Sequence, residues 1–199
     1  MANSTVAYGL RALGKMGSNP SAGGQSQYNI ANNASTSLYQ GDLVILTSTG
    51  NLTAATASST GILGVFNGCL IEVNPTTKKP KWQNYYTQTN VSQGNIDGYV
   101  IDDPNQLYLV KSTGTALGNS AVGNLYNIKY VAGSSTNGLS GSYIDLSSAA
   151  STSQLLVISP SQFVDNIPAT TNEDFVVKVK SSVSISSGEY KLWLYHDHN

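Results

Sequence analysis

Two histidines near the C-terminus have the spacing that best suits metal binding. His196 and His198 are two residues apart, so on a β-strand both imidazoles would project from one side and could hold a metal ion together. The chain has 2 histidines in all, and its one cysteine, Cys69, lies far away in the sequence. Because two ligands at a chain end make an incomplete site, the sequence favours a terminal tail, with a metal site shared between chains as the alternative.

An acidic tetrapeptide, residues 102–105 (Asp-Asp-Pro-Asn), carries carboxylates that could begin a calcium loop. Such a loop needs oxygen ligands at alternating positions over about 12 residues, closed by a glutamate. The residues that follow, 106–110 (Gln-Leu-Tyr-Leu-Val), form a β-like run and supply none. An aspartate turn that leads into this strand is therefore the better interpretation.

Catalytic motifs are missing from the sequence. Serine is abundant, but there is no Gly-x-Ser-x-Gly elbow, P-loop or dinucleotide fingerprint, and the three glutamates, Glu72, Glu173 and Glu189, are scattered. Cys69 lies in an apolar run, Gly-Cys-Leu-Ile, which predicts a buried and inert thiol. We therefore predict a protein that is not an enzyme, with no catalytic residue, no cofactor and no metal ion.

The composition favours contacts with other proteins. Charged residues make up only 11% of the chain, the net charge is -1, and Ser, Thr, Asn and Gly together make up about two-fifths of it. Short polar side chains lose less on desolvation than long ionic ones, and the 12 tyrosines are rigid and amphipathic, as interfaces require. Without a basic field or a long apolar segment, the sequence predicts no nucleic-acid partner and no membrane partner.

Many short β-like runs, separated by Gly, Asn, Ser and Pro, predict an all-β fold. We expect a β-barrel or β-sandwich core of short antiparallel strands with an extended N-terminal arm. In the run 175–179, Phe175, Val177 and Val179 share one face of the strand, and we expect this face to be buried. The predicted strands are residues 43–47, 62–66, 69–73, 82–87, 99–101, 107–111, 125–131, 143–146, 155–159, 175–179 and 190–195.

The composition changes along the chain and predicts its organisation. Residues 1–37 are rich in Gly and Asn and poor in apolar residues, which predicts an extended arm that is ordered only on binding a partner. Residues 38–199 would be a β core that folds without the arm and could contain a small barrel subdomain at 38–111. The Ser/Gly-rich residues 133–153 predict a long surface loop, with a wide-turned hairpin as the alternative, and residues 74–80 predict a hairpin tip.

Short phrases also occur in a recognisable order. They are residues 9–14 (Gly-Leu-Arg-Ala-Leu-Gly), 27–30 (Gln-Tyr-Asn-Ile), 38–44 (Leu-Tyr-Gln-Gly-Asp-Leu-Val), 61–68 (Gly-Ile-Leu-Gly-Val-Phe-Asn-Gly), 101–104 (Ile-Asp-Asp-Pro), 133–135 (Gly-Ser-Ser), 138–141 (Gly-Leu-Ser-Gly), 155–158 (Leu-Leu-Val-Ile) and 165–166 (Asp-Asn). This ordered set resembles tailed-bacteriophage virion structural proteins of the head decoration, or capsid cement, type. The pairing of residues 41–44 with 64–68 is also similar to the small β-barrel of other head-decoration proteins, many of which are trimers.

The resemblance implies a capsid decoration protein that binds the outer surface of the major capsid protein lattice and stabilises the head by bridging capsomers. It implies a homotrimer on the capsid surface of the virion, synthesised in the host cytoplasm. The alternative is another virion part, a tail, knob or fibre-base protein that contacts the host surface. An exported adhesin or lectin-like module would need a signal peptide, and residues 1–17 have no apolar run of that length. The candidate capsid-contact residues, all in the arm, are Tyr8, Leu10, Arg11, Leu13, Lys15, Tyr28 and Ile30.

Overall fold

The computed structural model describes residues 3–17, 24–73, 76–88 and 95–180, and these residues form β-strands joined by turns. Their one helical element is a short 3-10 turn at Gly118–Ala121. The predicted all-β class is therefore confirmed. The strands are β1 (Arg11–Lys15), β2 (Ser26–Asn29), β3 (Leu38–Tyr39), β4 (Leu43–Leu46), β5 (Leu52–Ala54), β6 (Ile62–Ile71), β7 (Lys81–Gln83), β8 (Tyr85–Tyr86), β9 (Ile96–Ile101), β10 (Gln106–Lys111), β11 (Leu125–Lys129), β12 (Tyr143–Asp145), β13 (Leu155–Pro160) and β14 (Asp174–Val179).

The strands form three antiparallel sheets. Sheet I has the order β1-β10-β14-β13-β11-β12, sheet II has the order β2-β9-β6-β4-β5 with β7 also paired to β6, and sheet III is β3-β8. Strand pairing closes neither six-stranded sheet into a barrel within the described residues. Strand β1 is therefore one edge of sheet I, and β2 is one edge of sheet II.

Two apolar clusters hold the sheets together, one on each face of sheet II. Alternation along β4 sends Leu43 into the first cluster and Val44 into the second. The first cluster joins sheet II to sheet I, where Phe175 and Val177 of β14 are fully buried, as their shared face predicted. The second cluster is covered by Leu38 and Tyr86 of sheet III.

Most predicted strands lie where the structure has them. The two runs predicted at 62–66 and 69–73 form one continuous strand, β6, whose pairing with β9 shifts register between Phe66 and Gly68. Strands β6 and β7 pair antiparallel around residues 72–80, which confirms the predicted hairpin, although residues 74 and 75 lie outside the described part. The sequence missed β1, β2, β3 and β5, and the run predicted at 190–195 lies outside the described residues, as do His196 and His198.

The N-terminal segment differs from the predicted arm. Its described residues contribute β1, which pairs with β10 in sheet I, and β2, which pairs with β9 in sheet II. The backbone of both strands is bonded to the core, and the flanking residues Leu10 and Ile30 lie inside the two clusters. Both short strands are held by main-chain pairing at the sheet edges and do not need apolar alternation. The composition of the segment does not reveal such pairing.

The predicted subdomain and surface loop also differ from the structure. Strand β10 at the end of the 38–111 region belongs to sheet I, β4 to β7 and β9 belong to sheet II, and β3 and β8 form sheet III, so the region is divided among three sheets. Within residues 133–153, β12 pairs antiparallel with β11, as in the wide-turned hairpin alternative. Ser140 and Ser142 in this connection are 1% exposed, so it is not a surface loop throughout.

Candidate interaction surface

Edge strand β1 carries three of the seven residues that the sequence proposed as capsid contacts, and a fourth comes just before it. Arg11 is exposed, Leu13 and Lys15 are half-buried, and Tyr8 is half-buried just before the strand. These four side chains lie along one edge of sheet I, where a partner could reach them. The structure therefore brings four of the seven candidates together at this edge.

The remaining candidates are held inside the molecule or against it. Leu10, which is 3% exposed, and Ile30, which is 1% exposed, are core residues in this fold, so the structure removes them from the candidate contacts. Tyr28 lies half-buried on β2, and its hydroxyl donates to Asp102 Oδ2 at 2.8 Å. Burial and then this bond raise the pKa of Tyr28.

Lys15 is engaged in an internal ion pair. Its Nζ lies 2.5 Å from Asp103 Oδ2, and the bond from Lys15 is the main cause of the lowered pKa of Asp103. The other oxygen, Asp103 Oδ1, accepts the backbone N–H of Asn105 at 2.8 Å, which confirms the aspartate turn predicted at 102–105. The turn leads directly into β10, so the ion pair fastens the end of β1 to the start of its neighbour.

Exposed apolar side chains lie beside β1. Val164 is fully exposed, Phe163 is 52% exposed and Val6 is 68% exposed. Together with Tyr8 and Arg11 they line one hollow of about 350 Å³. We call these five residues the β1 patch, and contiguous exposed apolar surface of this kind marks interaction sites in soluble proteins.

A buried ion pair lies beneath the Tyr8 ring of the β1 patch. Lys111, 3% exposed, lies 2.7 Å from Asp174 Oδ1 and also donates to the carbonyl of Asn172 at 3.2 Å. The Tyr8 ring has two cations near its centroid, Lys111 Nζ at 5.7 Å and the Arg11 guanidinium at 5.9 Å, both in the range of cation–π attraction. Burial, followed by the charge of Asp174, raises the pKa of Tyr8, so the phenol stays neutral. The ion pair therefore holds the side chains beneath the patch in place.

Sequence reasoning missed the apolar members of this patch. Phe163 and Val164 lie in the connection between β13 and β14, and Val6 lies before β1, so none of them belongs to a periodic run. One signal for them was available in the sequence. Phe163 and Val164 are adjacent apolar residues in the turn-rich segment between Pro160 and Pro168, which has no strand pattern that would bury them.

A groove of about 590 Å³ lies between β1 and β6, and Tyr8 and Arg11 of the β1 patch also line it. It leads to a smaller hollow of about 260 Å³, with Asn67 common to both. Gln40 Nε2 donates to Asn67 Oδ1 at 2.9 Å, and Asn67 Nδ2 donates to Gln25 Oε1 at 2.9 Å. These amides fix one another, so the groove has an ordered, uncharged wall suited to hydrogen bonding rather than to proton transfer.

Asp42 holds the connection between β11 and β12 against sheet II, beside this groove. Its Oδ1 accepts the Ser140 hydroxyl at 2.5 Å and the Ser142 hydroxyl at 3.3 Å, and its Oδ2 accepts the Tyr39 N–H at 2.8 Å. Asp42 is fully buried, and this desolvation raises its pKa to about 6 in spite of the three bonds. These bonds explain why Ser140 and Ser142 are buried.

Substitution Asp42→Asn should change how stability depends on pH. Because the folded-state pKa of Asp42 is raised from 3.8 to about 6, its contribution is fully present below pH 3.8 and is lost as pH rises through 6. The free energy of unfolding of the wild type, relative to the variant, should therefore increase by about 3 kcal/mol on going from pH 7 to pH 3.5. Urea unfolding across this range measures the difference.

Asp145→Asn is the matched control for this measurement. The Asp145 pKa is lowered, mainly by a hydrogen bond from the Ser147 hydroxyl, so its contribution should be lost as pH falls, the opposite sign. A constant difference between wild type and Asp42→Asn at all pH values would contradict the assignment.

The described residues offer little for chemistry. No three His, Cys, Asp or Glu side chains among them lie close enough to share a metal ion. Cys69 is fully buried, and desolvation raises the pKa of its thiol to about 12, as the inert thiol predicted from its apolar run requires. None of the helices in this part of the chain has the length and hydropathy to cross a membrane.

Comparison with models of protein families, with curated proteins and with solved structures finds no match to this chain. The interpretation of the β1 patch therefore rests on its own geometry and on the ordered phrases of the sequence.

Proposed function

We propose that this chain is a structural protein of a tailed-phage virion that decorates the head, binds the major capsid protein lattice and bridges capsomers. The observation that carries the proposal is the β1 patch, an exposed apolar cluster around the fully exposed Val164 in a chain whose net charge is only -1. Its centre is apolar and aromatic with one arginine, which is the composition of interface cores. The ordered phrases of the sequence supply the choice of partner.

The proposed mechanism is mechanical. A homotrimer would present three copies of the β1 patch, and after one copy binds, the others meet the lattice at high effective concentration. Modest contacts would then add up to firm attachment across neighbouring capsomers. We propose that sheets I and II act as a sandwich-like body, whose shared cluster and buried ion pair transmit force between these contacts.

Val164→Asp tests the proposal most directly. A carboxylate at the centre of an apolar contact would have to be desolvated, so binding to purified capsids should weaken by about tenfold or more. The folded chain should be unaffected, because the side chain of Val164 is fully exposed. Co-sedimentation with capsids stripped of this protein measures the effect.

Val122→Asp is the matched control. Val122 is 42% exposed at the end of the 3-10 turn and does not line the hollow of the β1 patch. It should bind capsids as the wild type does. Equal binding by Val164→Asp and the wild type, or cryo-microscopy of virions that places the protein on the tail, would overturn the proposal.

A further inference from the structure

We propose that sheet II carries a binding site for a neutral oligosaccharide, centred on Trp82 and Tyr99. The two rings lie with their centroids 5.1 Å apart and their planes inclined at 58°. Trp82 is 50% exposed although it sits within a sheet. These residues are distinct from the β1 patch, so the site goes beyond the function proposed above.

The strand register places two polar side chains beside the rings. Leu70 of β6 pairs with both Trp82 and Asp97, and Gly68 pairs with Tyr99, which in turn pairs with Gln27. Directly opposed residues of antiparallel strands share a face. Asp97 and Gln27 therefore stand on the same face as the rings, and the four residues Trp82, Tyr99, Asp97 and Gln27 form what we call the aromatic site.

Gly68 fixes the position of the indole. A Cβ on Gly68 would lie 2.7 Å from Trp82 Cζ2, closer than real Cβ atoms approach, and its backbone has a φ of +148°. The glycine thus leaves the space that the ring fills, and the ring covers the glycine. One side of the indole is packed on the strand while half of the residue stays open to solvent, so a ligand meets a preorganised ring.

The chemistry of the site fits a hexopyranose. One face of such a sugar presents C–H groups that pack on an aromatic ring, and the hydroxyls at its rim are donors and acceptors for a carboxylate and an amide. The rings of Trp82 and Tyr99, inclined at 58°, offer aromatic surface to the C–H face. Asp97 and Gln27 offer an acceptor and a mixed donor and acceptor at its edge.

The charge around the site favours a neutral sugar over an acidic one. Asp97 is the carboxylate of the aromatic site and would repel a carboxylated or sulfated sugar. Lys81 comes next to Trp82 in the chain and therefore points to the opposite face, where its charge acts on the buried Cys69 thiol. A protein partner is a poorer fit, because the larger exposed apolar cluster lies at the β1 patch.

An array of neutral hexose and N-acetylhexosamine oligosaccharides, with sialylated oligosaccharides for comparison, tests the site. We expect the full chain to bind at least one neutral oligosaccharide and not its sialylated form. Trp82→Ala should weaken that binding by about tenfold, the usual size of a lost ring contact. No binding to any neutral oligosaccharide, or preference for the sialylated ones, would overturn the proposal.

Two further variants distinguish a direct loss of oligosaccharide binding from a loss caused by misfolding. Asp97→Asn keeps the shape of the side chain and should weaken binding while the thermal transition is unchanged. The chain has 2 tryptophans, so Trp193→Phe leaves Trp82 as the sole indole, and its fluorescence should shift as the bound oligosaccharide is added. An unshifted spectrum at saturating oligosaccharide would place the ligand elsewhere.

The outcome is separable from that of the capsid experiment. Trp82→Ala should bind capsids normally, and Val164→Asp should bind the oligosaccharide normally, because the two sets of residues do not overlap. Capsid binding lost in both variants, with no oligosaccharide bound by the wild type, would show that the aromatic site belongs to the capsid contact and not to a sugar.

Discussion

Deletion of residues 1–37 is expected to prevent the chain from folding stably. The deletion removes edge strands β1 and β2 together with Leu10 and Ile30, which are buried in separate clusters. Truncating one such buried side chain typically costs about 2–5 kcal/mol, and a whole domain is stable by only about 5–15 kcal/mol. The loss of both residues and of two paired strands is thus comparable with the total. Circular dichroism and urea unfolding of the truncated protein measure it.

Point variants separate the core from the surface within the same segment. Leu10→Ala and Ile30→Ala should each lower the free energy of unfolding by about 2–5 kcal/mol, whereas Arg11→Ala, at an exposed position, should change it by less than about 0.5 kcal/mol. Cooperative unfolding of the truncated protein at the wild-type midpoint would contradict the structure and restore the prediction of an independent arm. Capsid binding is therefore better tested with point variants of the β1 patch than with deletions.

The sequence predicts the central strands well because their side chains decide their structure. In β14, alternate residues enter one cluster, so Phe175, Val177 and Val179 are buried while Lys178 is not. Short strands at the edges give no such signal. Strand β2 (Ser-Gln-Tyr-Asn) exists because β9 offers it backbone partners, and a strand assembled from distant residues cannot be read from its own composition.

The candidate site was harder to predict for a related reason. Val6 and Phe163 are separated by most of the chain, and their proximity depends on how β1, β13 and β14 are arranged in sheet I. Asp42 and Ser140 likewise meet only through the folded hairpin connection, although both occur in phrases that the sequence singled out. Residue types could indicate an interaction surface, but only the topology could assemble one.

Gly9→Ala is expected to be among the most damaging single substitutions. Gly9 has a φ of +72°, and a Cβ there would lie 2.6 Å from the carbonyl oxygen of Gly41 and 2.6 Å from Ser140 Cβ. The left-handed conformation costs a non-glycine residue about 1–2 kcal/mol, and forcing atoms into a packed site typically adds about 1–3 kcal/mol. The neighbours cannot yield cheaply, because the Gly41 oxygen accepts the Leu10 N–H at 2.8 Å and Ser140 is held by Asp42.

Gly50→Ala is the control that isolates the crowding. Gly50 has a φ of +77°, but nothing lies within 4 Å of the position that a Cβ would take. Both substitutions restrict the unfolded chain equally and both suffer the backbone strain. Urea unfolding should therefore show Gly9→Ala to be less stable than Gly50→Ala by about 1–3 kcal/mol. Equal stability would mean that Gly9 and Gly41 do not pack closely, and the segment that presents Tyr8 and Arg11 would then lack its anchor.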